Sequence, residues 1–422
     1  MQQPEIRLTK VQLMLYGTMI LCASFVALLY ISETIIAALE PLSKPALIKS
    51  MRSKQVDAYP AITSQIILMR NHLQPLATLN GPSVLPLGGI ANKTTVFCRE
   101  AEHMIVYDSD RFGFRNSDEL WDSDLDIIAV GDSFVQGACM DDDNHLVSQL
   151  RKKWPNTLNL GSFGNGPLSN IGTISEYALA KKPTYILWFY VANDLAIDLP
   201  LEERSPILKS YMQRPDYTQH LTESQDSIDQ ALSSFLLDEI DRLEKEAAPS
   251  LTLMSFFKLE KLQQQLRRVY DTVAAPPAPD FPEAFDYDRQ DSIDYNRHSH
   301  IVAEAAARAR EVGSELIFVL VPDARMYRPV SNPEAMPSKH VEKILASVSG
   351  TGVTTINLYD EFKNEENPMK FFAGLGGYYG HFNKAGYNKA GSALVSQLAA
   401  IETLRQSPSG QPGQPTLSDS TK

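Results

Sequence analysis

The chain is 422 residues long, 43% hydrophobic and 21% charged, with a formal net charge of −12. That length accommodates one large domain with appendages, and an acidic balance with no basic patch among aromatics excludes phosphate-backbone binding, so no nucleic-acid partner is expected. No Cys/His cluster has metal-ligand spacing and no Walker-type or dinucleotide glycine fingerprint occurs, so neither metal nor cofactor is expected.

Residues 11–32 (Val11 to Ser32) follow a short N-terminal segment, 1–10, and carry no charge. About twenty apolar residues cross a ~30 Å hydrocarbon core, so this run is expected to be a transmembrane anchor in the lipid bilayer. It is too long for a secretory peptide and lacks a small-residue exit, and the large Leu21 before Cys22 argues against lipoprotein cleavage. Arg7 and Lys10 precede the run while Lys44, Lys49, Arg52 and Lys54 follow it, so the positive-inside rule does not set its orientation. Residues 33–96 contain Pro41, Pro45, Pro60, Pro75, Pro82 and Pro86 and read as a juxtamembrane stalk, with helical spacing from Ala61 to Leu76.

From residue 97 to 405 apolar strand-like runs alternate with amphipathic segments. Strands are expected at Asp126–Val130, Thr157–Leu160, Tyr185–Val191, Glu315–Val321 and Gly352–Asn357, and helices at Asn144–Trp154, Leu168–Lys181, His298–Val312, Ser338–Val348 and Lys384–Leu404. This alternation predicts a three-layer α/β/α domain around a parallel sheet. Residues 196–297 break the pattern. Two helical stripes lie there, one through Ile228, Leu232, Phe235, Leu236, Ile240 and Leu243, the other through Leu253, Phe256, Phe257, Leu262, Leu266 and Val269. They predict a helical hairpin packed on itself, or, since it leaves directly after Asn193-Asp194, a lid over a site. A Pro-rich connector, 274–279, ends the insertion, and the Ser/Gly/Pro/Gln-rich tail, 406–422, is expected to be disordered.

The chemistry gathers at the carboxyl ends of these strands, where open α/β folds place ligands. Gly131-Asp132-Ser133-Phe134 delivers a hydroxyl after the first strand; Asn159-Leu160-Gly161-Ser162-Phe163-Gly164 offers a glycine-flanked N–H after the second. Ala192-Asn193-Asp194 offers an amide after the third, and Gly380-His381-Phe382-Asn383 brings an imidazole ahead of the last helix. A hydroxyl, a base and convergent N–H donors are the parts that nucleophilic acyl transfer needs.

In these four blocks the chain resembles the SGNH (GDSL-type) hydrolase superfamily, over about residues 105–402 excluding the insertion. It looks closest to membrane-anchored bacterial members associated with cell-surface polysaccharides, whose Tyr-x-x-Asp-x-x-Gly-Phe-Arg-Asn element is matched by Tyr107 to Asn116. The resemblance implies Ser133 as nucleophile, His381 as general base, and an oxyanion hole of the Ser133 N–H, Gly164 N–H and Asn193 amide. It also implies an acylated glycan or other ester as substrate, hydrolysis or acyl transfer as reaction, and polysaccharide-assembly proteins as partners.

The sequence departs from the family where an Asp usually precedes the His by two or three residues: Tyr379 and Tyr378 stand there. A backbone carbonyl near Tyr378 could hold the ring, Asp360 could fold back as the third triad member, or the protein could be a silent binding or scaffold subunit. Cys98 and Cys139 flank the first strand; a bridge between them would close a loop of about 41 residues and contribute roughly 4 kcal/mol, placing the domain in an oxidising compartment such as the periplasm beyond a bacterial inner membrane. Two free core thiols are the alternative.

Overall fold

The computed structural model describes residues 9–78, 81–100, 103–246, 253–273, 293–327, 337–373 and 380–406. Strands, in chain order, are β1 (Ala58–Pro60), β2 (Thr94–Val96), β3 (Val106–Asp108), β4 (Ile127–Val130), β5 (Thr157–Asn159), β6 (Tyr185–Tyr190), β7 (Glu315–Leu320) and β8 (Thr354–Asn357). Helices are α1 (Lys10–Leu39), α2 (Lys44–Ser53), α3 (Ser64–Arg70), α4 (Ser133–Gln136), α5 (Leu146–Arg151), α6 (Pro167–Thr173), α7 (Leu199–Glu202), α8 (Pro206–Gln213), α9 (Gln225–Glu246), α10 (Leu253–Phe257), α11 (Glu260–Val273), α12 (Tyr295–Glu311), α13 (Pro337–Ser349) and α14 (Lys384–Gln406).

All five expected strands form one parallel sheet in the order β5-β4-β6-β7-β8. Counted along the sheet's own strands this is 2-1-3-4-5, in which the direction of winding reverses between the first and third strands and opens a crevice at their carboxyl ends. Both faces are covered, so the strands read as continuous apolar runs. Ile128, Val130, Ile186, Trp188, Leu316 and Phe318 face a core shared with α6, α12 and α13. Their neighbours Ile127, Ala129, Leu187, Phe189, Ile317 and Val319 face a second core with α5 and α14. Successive strand side chains point to opposite faces, which divides one run between two layers.

Much of the stretch expected as a stalk belongs to the domain instead. β1 pairs with β2, and β2 with β3, in a separate three-stranded sheet. Ile67, Leu68 and Leu85 lie in the main core with at most 1% of their surface exposed. Burial of such side chains stabilises by about 1.5–3 kcal/mol each, enough to draw a proline-broken segment onto the body. The helix expected at 61–76 is reduced to α3, started by Thr63, whose hydroxyl accepts from the Ile66 N–H.

α1 is a single 30-residue helix, almost wholly exposed, and the one helix among the described residues long and apolar enough to cross a membrane. Thr9 and Gln12 start it with a capping box: each side chain accepts from the other's backbone N–H.

The insertion is not a self-packed hairpin. α9 buries Ile228, Leu232, Leu236 and Ile240 against the domain's core and the segment around Ile48 and Val96. α11 instead packs along α1. The connector at 274–279 and the tail beyond Gln406 lie outside the described residues.

Candidate active site

β4 ends at Val130, and the chain must turn at once into α4. Gly131 allows it: a Cβ there would lie 2.7 Å from Val135 Cγ2 and 3.0 Å from the Phe189 carbonyl oxygen of the adjacent strand. Asp132 caps α4 by accepting from the Phe134 N–H at 2.9 Å. Ser133 is therefore the first helical residue, and its own N–H has no intrahelical acceptor.

The Tyr107 to Asn116 element fixes what surrounds this turn. The buried Arg115 guanidinium donates to the carbonyls of Gln136 at the end of α4, of Gly137 and Met140 just beyond it, and to Asp142. Asn116 donates to the Asn159 carbonyl and accepts from its N–H, locking the end of β5. Asp110 accepts from the Phe112 and Phe114 N–H groups, Asn116 and the Trp121 indole; burial nonetheless raises its pKa to about 6.

His381 reaches Ser133 from the far end of the chain, Nε2 lying 2.7 Å from Oγ. The Ser133 hydroxyl also lies 3.3 Å from Asp132 Oδ2, a longer and weaker contact. The loop carrying the imidazole is anchored on both sides of the ring. Phe382, 1% exposed, stacks on Phe372 and Phe362. Asn383 accepts from the Gly386 N–H at the start of α14 and donates to the Lys370 carbonyl.

The carboxylate on the other ring nitrogen is that of Glu100, which the sequence did not point to. Its Oε1 lies 2.6 Å from His381 Nδ1, and its Oε2 accepts from the His381 backbone N–H at 2.9 Å. With Nδ1–H given to Glu100, the Nε2 lone pair is free to accept the Ser133 proton. Asp360 does not fold back; it pairs with Lys363 at 2.8 Å. Tyr378 and Tyr379 lie outside the described residues. The signal that could have found Glu100 is the cysteine pair: Cys98 and Cys139 are bonded, which draws the segment two residues before Glu100 to the loop six residues after Ser133.

Gly164 has φ +73°, and a Cβ there would collide with the Gln65 carboxamide. Among the described residues nothing accepts its N–H. Asn193 donates to Asp198 Oδ2 at 2.7 Å, and Gln65 donates to the other Asp198 oxygen at 2.5 Å. Gln65, from the stretch expected as a stalk, thus lies against both Gly164 and Asp198. Burial raises Asp198 to about 7, against the hydrogen bond from Asn193 and helped by the charge of Glu202. Glu202 accepts from the N–H groups of Gly166, Leu168 and Ser169 and is likewise pushed up by burial to about 7. Burial also raises Asp132 and Asp194.

Glu100, Cys139 and His381 bring ligand-type atoms within 4.8 Å of one another. The Cys139 sulfur is committed to its disulfide and both ring nitrogens of His381 to hydrogen bonds, so this is a poor metal site.

No protein-family model matches the chain. No curated protein matches it either. Among solved structures it is similar to a lipase/acylhydrolase from Enterococcus faecalis (12% identity, 66% of this chain and 97% of that one, TM-score 0.32). It is similar too to a member of the lipolytic G-D-S-L family from Veillonella parvula (12% identity, 67% and 100%, TM-score 0.33). A third is a catalytic mutant of an acetylxylan esterase from Geobacillus stearothermophilus (10% identity, 64% and 93%, TM-score 0.33). The order of the strands decides the fold. It is a three-layer α/β/α fold with the flavodoxin-like strand order 2-1-3-4-5. Ser133 follows β4 and Asn193 follows β6, the two strands that flank the crevice where the winding reverses.

Proposed function

We propose that this chain is a serine esterase working through Ser133, His381 and Glu100, tethered to a membrane by residues 11–32. His381 Nε2 takes the Ser133 proton as Oγ attacks the ester carbonyl, while Glu100 holds the ring and balances the imidazolium. The N–H groups of Ser133 and Gly164 and the second amide hydrogen of Asn193 receive the developing oxyanion. Collapse expels the alcohol, protonated by His381, and leaves an acyl-Ser133. Water or a sugar hydroxyl, deprotonated by His381, then releases the acyl group as acid or as a new ester.

The observation that carries this reading is the 2.7 Å contact between Ser133 Oγ and His381 Nε2, backed by Glu100 on the other ring nitrogen. The bonded Cys98 and Cys139 favour an oxidising compartment, hence a periplasmic domain. O-acyl groups on an extracytoplasmic glycan are the substrate suggested by the Tyr107 to Asn116 resemblance, with polysaccharide-assembly proteins as partners. The rival, a silent scaffold subunit, rests on the missing Asp before His381 and on the anchor; Glu100 beside His381 weakens the first ground. The test is hydrolysis of 4-nitrophenyl acetate by the full chain and by Ser133→Ala: the variant should lose turnover, and undiminished turnover in it would refute the assignment.

A further inference from the structure

We propose that α10 and α11 form a foot that lies in the bilayer surface beside α1, its apolar side chains inserted among anionic lipids. This rests on the reading of residues 11–32 as a membrane span. Glu33, fully buried, directly follows that apolar run, and its carboxylate accepts from the Lys261 and Leu262 N–H groups at 3.0 and 2.6 Å, fastening the start of α11 to α1. Lys261 reaches further, to Glu40 just past the end of α1, at 2.6 Å.

On the other side of Glu33, inside the apolar run, Tyr30 packs on Phe256 at 5.1 Å and on Phe257 at 6.4 Å, and donates to the Phe257 carbonyl. Three residues of helix rise only about 4.5 Å, so α10 sits level with the last apolar turn of α1. A span that puts Tyr30 at the membrane boundary puts α10 there too.

What α10 and α11 present outward suits that depth. Met254, Phe257 and Leu266 are 64%, 59% and 61% exposed. They adjoin α1, whose most apolar stretch is only 6% buried among the described residues. Over residues 253–267, with Lys261 already paired to Glu40, Lys258 and Arg267 stand against one acidic residue, Glu260, in a chain of net charge −12. Apolar side chains flanked by cations are the composition that inserts shallowly at an anionic lipid surface.

The experiment uses the full chain in vesicles of phosphatidylethanolamine and phosphatidylglycerol, with and without bromine on the acyl chains. Trp121, Trp154 and Trp188 are buried in the domain and set a constant background. The added emission of Phe257→Trp should fall by at least half in brominated vesicles, as should that of Tyr16→Trp within the span; Met254→Trp serves should Phe257→Trp not fold. Quenching at Tyr16→Trp with none at Phe257→Trp or Met254→Trp overturns the foot and points to solvent or a protein partner. No quenching at any of the three overturns the span, and the foot with it.

Discussion

Glu100 holds His381 twice: one carboxylate oxygen meets Nδ1 and the other the backbone N–H of the same residue. This grip fixes both the ring's tautomer and the position of the loop that carries it, work that the missing Asp would do from a neighbouring residue. Glu100→Gln should therefore lower turnover by up to roughly 10⁴-fold, since a carboxamide can donate to Nδ1 and leave the proton on the wrong nitrogen. Glu100→Asp should recover part of the loss, and Asp360→Asn should match wild type. Steady-state ester hydrolysis by the three variants checks this.

The Cys98–Cys139 bond should matter to catalysis as well as to stability. Glu100 is two residues from Cys98 in the connection between β2 and β3, so cutting the tether frees the carboxylate from the ring. The double variant Cys98→Ser, Cys139→Ser should lose up to about 4 kcal/mol of stability, the loop-closure limit, and should lose kcat at temperatures where it stays folded. Denaturant unfolding and kinetics on the same sample separate the two effects.

Gly164→Ala should be damaging twice over. A left-handed backbone costs a side-chain-bearing residue about 1–2 kcal/mol, and the added methyl meets Gln65, which holds Asp198. Asn193→Ala removes an oxyanion donor, for which about 10²- to 10³-fold in kcat is expected with little change in KM. Equal losses of kcat and kcat/KM would mark the second as a transition-state effect.

Asp198 gives a stability signature with a definite sign. Its pKa is raised by burial to about 7, above the unfolded value near 4, so the native state binds the extra proton. The contribution is full below about pH 4 and is lost as pH rises through about 7, on the order of 1 kcal/mol going with each pH step between those limits. Melting temperature should fall from pH 5 to pH 8 in wild type, and less steeply in Asp198→Asn; an equal slope in both would assign the dependence to other groups such as Glu202.

What the sequence revealed follows from where the signal is local. The sheet was legible because each strand is a short apolar run ended by glycine, Asn or, after β7, Pro322, and Ser133, Gly164, Asn193 and His381 each sit in a block punctuated by glycine or Asn. Glu100 was not, because it lies in a loop outside the strand–helix alternation and meets His381 across 281 residues. Gln65 was hidden by the prolines around it, which erase periodicity without preventing burial. The two stripes of the insertion were read correctly as helical, but periodicity shows that a helix has an apolar face, not what covers it. α9 found the domain, α11 found α1.

The central claim is that Ser133 is an activated nucleophile. Labelling of the folded full chain with a fluorophosphonate, followed by peptide mapping, tests it most directly. Stoichiometric attachment at Ser133, slowed in Glu100→Gln and lost in His381→Ala, is the predicted result. Folded wild-type protein that takes up no label, or carries it on another residue, would contradict it.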